Sequence, residues 1–135
     1  MNQKLLELQE EGKIVGVEPT HTARIYVGCL DTEAGFERPV AEIKAFCADY
    51  VKDVGLCVNV QKTWFAYGDD GEGNNEGGAI VELIQYPRFP KAEKDITKQA
   101  LDLGERLIKR MNQKRISVIC TDQTYTLQNP NHEEI

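Results

Sequence analysis

Apolar and polar positions alternate through ARIYVGCL (residues 23–30). Ala23, Ile25, Val27 and Cys29 fall on one side, with Arg24, Tyr26 and Gly28 on the other. A period of two is that of a strand buried on one face. DTEAGFER (31–38) breaks the alternation and reads as a loop. Pro39 then suits the first position of a helix, whose missing N–H costs nothing there. Val40, Ile43, Cys47, Tyr50 and Val51 recur at helical spacing to about Asp53, and Gly55 is placed to end the helix. A second strand is expected from Leu56 to Tyr67, with Val58 and Val60 on one face and Asn59 and Gln61 on the other. AIVELIQY (79–86) is the returning strand. Between them GDDGEGNNEGG (68–78) holds no apolar residue and five glycines, which predicts a hairpin loop or a mobile lid. PRFP (87–90) is a stiff corner. Ile96, Ala100, Leu103, Leu107 and Met111 then form the apolar stripe of a long helix from about Lys91 to Asn112. ISVICT (116–121) is a last strand, and TDQT can turn into a short YTL extension.

The order strand, helix, strand, strand, helix, strand predicts an α+β fold. The specific form is a ferredoxin-like βαββαβ sandwich, an antiparallel sheet with two helices on one face. Residues 1–20 read as an N-terminal extension with a short helix up to Gly12. Residues 21–128 read as one ligand-binding domain, and 129–135 as a polar tail. Tyr26, Asn59, Gln61 and Glu82 would point away from the helices. A face this mixed predicts a ligand platform or a subunit interface, and hence a homo-oligomer, a dimer at least.

Composition narrows the function classes. The chain has 135 residues, a net charge of −6 and a pI near 5.0, which argues against duplex nucleic acid or an acidic membrane as partner. No apolar run is long enough to span a bilayer, and the acidic start MNQKLLELQEEGK lacks the apolar stretch of a secretory signal, so a cytoplasmic protein is expected. The chain has no GxxxxGK[ST], HExxH, GxSxG or CxxC motif. Cys29, Cys47, Cys57 and Cys120 each lie in an apolar segment and read as reduced, buried thiols. His21 and His132 stand near the two ends, so no metal and no cofactor is expected.

Charge is unevenly distributed. Between Arg88 and Arg115 nine cations face four acids, so this segment is +5 and the remainder −11. A basic helix on an acidic protein points to a specific anion site, although most of its lysines fit an ordinary solvated face. Arg106 and Arg110, with Gln99 and Gln113, border the apolar stripe. Two guanidinia one turn apart repel unless something negative lies between them, and their planar forks match phosphate oxygens, so they are candidates for a phosphate clamp. The alternative is pairing with acids of the first helix or of a partner subunit. Trp64, Phe65 and Tyr67 cluster ahead of the glycine-rich segment, and Phe89 stands beside Arg88 in the PRFP corner. Trp64 and Phe89 are therefore candidates to stack on a base, with Arg88 beside them; packing roles are the alternative. The acidic loop lacks the spacing of a calcium loop. Asp31 and Glu33 can act as acid and base in principle, but nothing singles them out.

RIYVG-x-x-D (24–31), a first helix, K-T-W before a glycine-bearing hairpin, and a long helix ending in M-N-Q-x-x-x-S-V resemble the first family of phage anti-Thoeris sponge proteins. The resemblance covers about residues 24–121. It implies a non-enzymatic homo-oligomer in the host bacterial cytoplasm, a dimer or hexamer, that sequesters a cyclic ADP-ribose signal or, in some members, the cyclic oligonucleotides of CBASS-type defence. The N-terminal 20 residues, the length of GDDGEGNNEGG and the PRFP corner depart from the family pattern. Two other readings compete: a small cofactor-free enzyme of the monooxygenase or isomerase type, and an interaction module that inhibits a host protein through its acidic loop and tail.

Overall fold

The computed structural model describes residues 2–17, 19–69, 71–84 and 92–131. Its centre is β1 (Thr22–Gly28), whose alternating apolar residues are locked between two antiparallel neighbours. Ile25 stands opposite Val81 of β5 (Glu72–Ile84) and Val118 of β6 (Arg115–Cys120). On the far side of β5 lies β4 (Val58–Asp69), and β7 (Thr124–Gln128) pairs with β6. The five-stranded antiparallel sheet therefore has the order β4-β5-β1-β6-β7.

Two helices cover one face of this sheet. α2 (Val40–Val54) contributes Ile43, Cys47 and Tyr50, and α3 (Glu93–Arg110) contributes Ile96, Ala100, Leu103, Leu107 and Ile108 to one core with Ala23, Ile25, Val27, Ala79, Val81, Leu83 and Val118. Each buried Leu, Ile or Val removes apolar surface worth about 1.5–3 kcal/mol from water. α2 ends at Gly55, whose left-handed φ of 60° lets its N–H close on Val51 O at 3.1 Å. α3 carries Glu93 and Asp95 in its first turn and Lys109 and Arg110 in its last, each sign matching the dipole end it faces. The fold is α+β, and the register puts Arg24, Tyr26, Asn59, Gln61 and Glu82 on the face that no helix covers.

The short N-terminal helix α1 (Gln3–Glu10) is capped by Asn2, which accepts from the Lys4 amide at 2.8 Å; it buries no residue. No helix among the described residues is long and apolar enough to cross a membrane. All four cysteines are free, three buried and Cys57 half-buried.

Two expectations need correction. GDDGEGNNEGG is not a loop: β4 runs to Asp69 and β5 starts at Glu72, with those two residues paired across Asp70 and Gly71. An Asp-Gly pair is a two-residue hairpin signal, Gly71 takes the positive φ of 79° that such a turn demands, and backbone pairing extends the ribbon whatever its side chains. DTEAGFER likewise contains a small ribbon, β2 (Leu30–Asp31) paired with β3 (Phe36–Glu37). The PRFP corner lies outside the described residues.

Candidate functional site

β1 stops at Gly28, where it pairs with Gly78, while β5 continues with β4 as a projecting ribbon. The chain leaving β1 stays pinned to β5 there, because the Cys29 amide donates to Gly77 O at 2.9 Å. Gly28, Gly77 and Gly78 thus meet at one corner of the sheet, and side chains from other elements fill the room they leave.

On the uncovered face that room holds Glu76. A Cβ on Gly28 would lie 3.0 Å from Glu76 Oε2 and 2.8 Å from Gln113 Oε1. Gln113, just beyond α3, is held by its own Nε2, which donates to Leu30 O at 2.8 Å and Met111 O at 3.1 Å. Glu76 is half-buried, and burial pushes its carboxyl above the ordinary value. The Leu30 amide, donating to the carboxylate, pulls it back, and the charge of Glu37 adds to the rise. Beside it Phe65, its cross-strand partner, lies against Gly78 and meets Tyr26 with ring centroids 6.4 Å apart. The result is a raised-pKa carboxylate on the strand position opposite Phe65, whose ring meets that of Tyr26.

On the helix-covered face the same corner forms a cleft of about 430 Å³. Glu37 Oε1 accepts from the Gly77 amide at 2.7 Å, and a Cβ on Gly77 would lie 3.3 Å from Oε1 and 3.4 Å from Oε2. Lys44 of α2 and Lys62 of β4 line the cleft, with Cys29 in its wall. Burial, with Glu37, Glu76 and Glu42 adding, pushes the Cys29 thiol up to about 11, so it stays protonated at neutral pH.

Behind the cleft stands Asp31, 1% exposed. Oδ1 accepts from the Ala34 amide at 3.0 Å and Asn112 Nδ2 at 2.9 Å, while Oδ2 accepts from Arg38 Nε at 3.0 Å and its terminal nitrogen at 2.9 Å. A buried charge is tolerable when every lone pair is met in this way. The network ties the β2–β3 ribbon to the end of α3 and to the start of α2. Asp31 is thus an anchor, and Glu33 is exposed on the turn between β2 and β3.

The residues singled out from the sequence do not converge. Trp64 is 64% exposed on β4, opposite Gly77 and on the same face as Lys62. Arg106 is on α3, which packs on the same sheet face as α2 but over β1, β6 and β7, toward the edge away from β4. Its Nε lies 3.3 Å from Asp102 of its own helix and its guanidinium stacks over Tyr50 at 5.3 Å, so the negative charge that relieves it comes from within α3. Arg110 is exposed one turn further on. Arg88 and Phe89 lie outside the described residues. Gln113 does reach the corner, while Gln99 Oε1 is buried without a partner among the described residues. A groove of about 620 Å³ between α3 and β7 is larger, but Leu101, Ile108, Tyr125 and Leu127 make it mainly apolar.

Glu37, Lys44, Lys62 and Glu76 were missed. The signal for Glu76 was the alternation itself: with the Asp-Gly turn recognised, EGNNEGGAIVELI reads as one strand, and Glu76 falls on the face of Ile80 and Glu82.

No protein-family model and no curated protein matches the sequence. Solved structures do. A phage SAM lyase in its apo state superposes with a TM-score of 0.66 over 84% of this chain and 92% of its own, at 18% identity. A phage SAM lyase in complex with S-methyl-5'-thioadenosine gives 0.67 over 89% of this chain and 99% of its own, at 15% identity. These likenesses establish a shared fold. They also correct the expectation of a non-enzymatic sponge for cyclic ADP-ribose or cyclic oligonucleotides, because these two solved structures on which the chain superposes are those of an enzyme, and of neither the monooxygenase nor the isomerase type.

Proposed function

We propose that this protein is an enzyme acting on S-adenosyl-L-methionine, releasing S-methyl-5'-thioadenosine, with Glu76 as its reactive carboxylate. The observation that carries this reading is the half-buried Glu76 opposite Phe65 of the Phe65–Tyr26 aromatic pair, on a fold shared with phage SAM lyases. A sulfonium offers no hydrogen-bond donor, so it is recognised by charge and by aromatic faces, and this corner supplies both. Loss of the thioether breaks the bond between sulfur and the γ-carbon, and the bonding pair goes to sulfur, which becomes neutral. As that bond breaks, Glu76 takes a proton from the β-carbon, and the electron pair of that C–H bond forms the double bond between the β- and γ-carbons; a carboxylate with a raised pKa is the better acceptor for it.

The architecture is consistent with this reading. The order β4-β5-β1-β6, with α2 and α3 on one face, supports a ferredoxin-like βαββαβ sandwich to which β7 is added at one edge. The uncovered face carries Tyr26, Phe65, Ile80 and Ile119 and supports a homo-oligomer, the commonest way to cover such a surface; light scattering at the monomer mass would refute that. On this reading the protein works in the cytoplasm of a phage-infected bacterium, where S-adenosyl-L-methionine is made.

The test is incubation of the purified protein with S-adenosyl-L-methionine, with products read by mass spectrometry. Wild type is expected to release S-methyl-5'-thioadenosine, and Glu76→Gln to lower the rate ~100-fold or more. A lyase yields a four-carbon product with no added water. No release by wild type, or full activity in Glu76→Gln, overturns the proposal.

A further inference from the structure

We propose that the cleft on the helix-covered face is a second binding site, for the zwitterionic end of a small α-amino acid. Lys44 and Lys62 reach it from different elements, α2 and β4, and neither forms an ion pair among the described residues, although Glu37 lines the same cleft. Arg38, the third cation there, is already taken by Asp31 at 2.9 Å and by Glu42 at 3.7 Å. With neither lysine in an ion pair of its own among those residues, an anion bound between them would relieve their like charge. A carboxylate, with two acceptor oxygens, fits the pair.

Glu37 sets the rest of the ligand. One of its oxygens accepts from the Gly77 amide, which orients the carboxylate and leaves the other oxygen open to the cleft. That oxygen suits an ammonium. A carboxylate facing two ammonium side chains, with an ammonium facing a carboxylate, is the pattern of an α-amino acid and not of a simple anion. The volume of about 430 Å³ accommodates such a ligand with a side chain. Gly77 and Gly78 floor the cleft, and past them Trp64 offers an exposed aromatic face on the same side of β4. The site lies on the opposite face of β5 from Glu76, and its occupancy is read by binding alone, without reference to the proposed reaction.

The experiment is nitrogen-15 NMR titration of the full chain with the twenty common L-amino acids, acetate and methylammonium. At least one amino acid is expected to shift the amides of Val40, Ala41 and Gly77, and to bind more tightly than acetate or methylammonium. Lys44→Ala/Lys62→Ala, at exposed positions that leave the fold intact, should weaken that amino acid at least tenfold. Glu37→Gln should weaken the amino acid and leave acetate unchanged. The proposal is overturned if no amino acid shifts these amides, if acetate binds as well as the best amino acid, or if either variant binds like wild type. The rate of S-methyl-5'-thioadenosine release plays no part in this test, so the two proposals stand or fall separately.

Discussion

Replacing Asp31 by Ala removes the acceptor of four hydrogen bonds from three residues: the Ala34 amide, the Arg38 guanidinium and the Asn112 amide. Breaking one side of a buried pair costs about 3–5 kcal/mol, because the other side is left buried and unmet. Here Arg38 keeps partial access to water and has Glu42 3.7 Å away, so part of the loss is recovered and about 2–4 kcal/mol is expected. With a urea slope of about 2 kcal/mol per molar, the unfolding midpoint should fall by about 1–2 M, read by circular dichroism. The pH dependence adds a second readout. The Ala34 amide, with Arg38 and Asn112 adding, holds the Asp31 carboxyl below its ordinary value against the opposing effect of burial. Its stabilisation is therefore complete above the ordinary carboxylate pKa of ~3.9 and is lost as pH falls through the lower native value. The gap between wild type and Asp31→Asn should close over that acid window. A midpoint shift below about 0.3 M at neutral pH, or a gap that stays constant into acid, would refute the argument that this carboxylate anchors the corner.

A Cβ at Gly78 would lie 2.5 Å from the Val27 carbonyl oxygen and overlap the edge of the Phe65 ring, and backbone cannot yield as a side chain can, so Gly78→Ala should lower stability by about 2 kcal/mol or more in thermal melts. Gly28→Ala meets only the ends of Glu76 and Gln113; it should leave the fold largely intact while displacing the Glu76 carboxylate, seen as a drop in S-methyl-5'-thioadenosine release of about tenfold or more. Because burial raises the Glu76 carboxyl, the acid limb of the pH–rate profile should lie above the ordinary glutamate value of ~4.3; a limb at or below it removes Glu76 as the base. Iodoacetamide should modify Cys57 first in the native protein, with Cys29 and Cys47, both raised to about 11, reacting only on unfolding; peptide mass mapping reads this directly.

Periodicity alone was enough to place β1, α2, α3 and β6 to within a few residues, because their apolar repeats answer to local geometry: alternate residues of a strand share a face, and every third or fourth residue of a helix does. The open face of Tyr26, Asn59, Gln61 and Glu82 followed from the same rule. The polar ribbon did not, since backbone pairing needs no apolar residue and the Asp-Gly turn carried the only local sign of it. The candidate site was less legible still. Glu37, Lys44 and Lys62 come from β3, α2 and β4 and Glu76 from β5; they reach the two faces of one corner only because β1 ends at Gly28 and the chain turns back through Asp31. The alternation gives Glu76 its face of the strand, but what separates its chemistry from that of the neighbouring acids is burial and the amide of Leu30, a residue 46 positions away in the chain. Arg106 shows the converse. Its spacing marked it as special, but the acid that satisfies it is one turn back on its own helix and the ring beneath it is on α2. A local pattern determines which face a side chain occupies, whereas the partner it meets, and therefore its pKa and its chemistry, depends on how the elements pack.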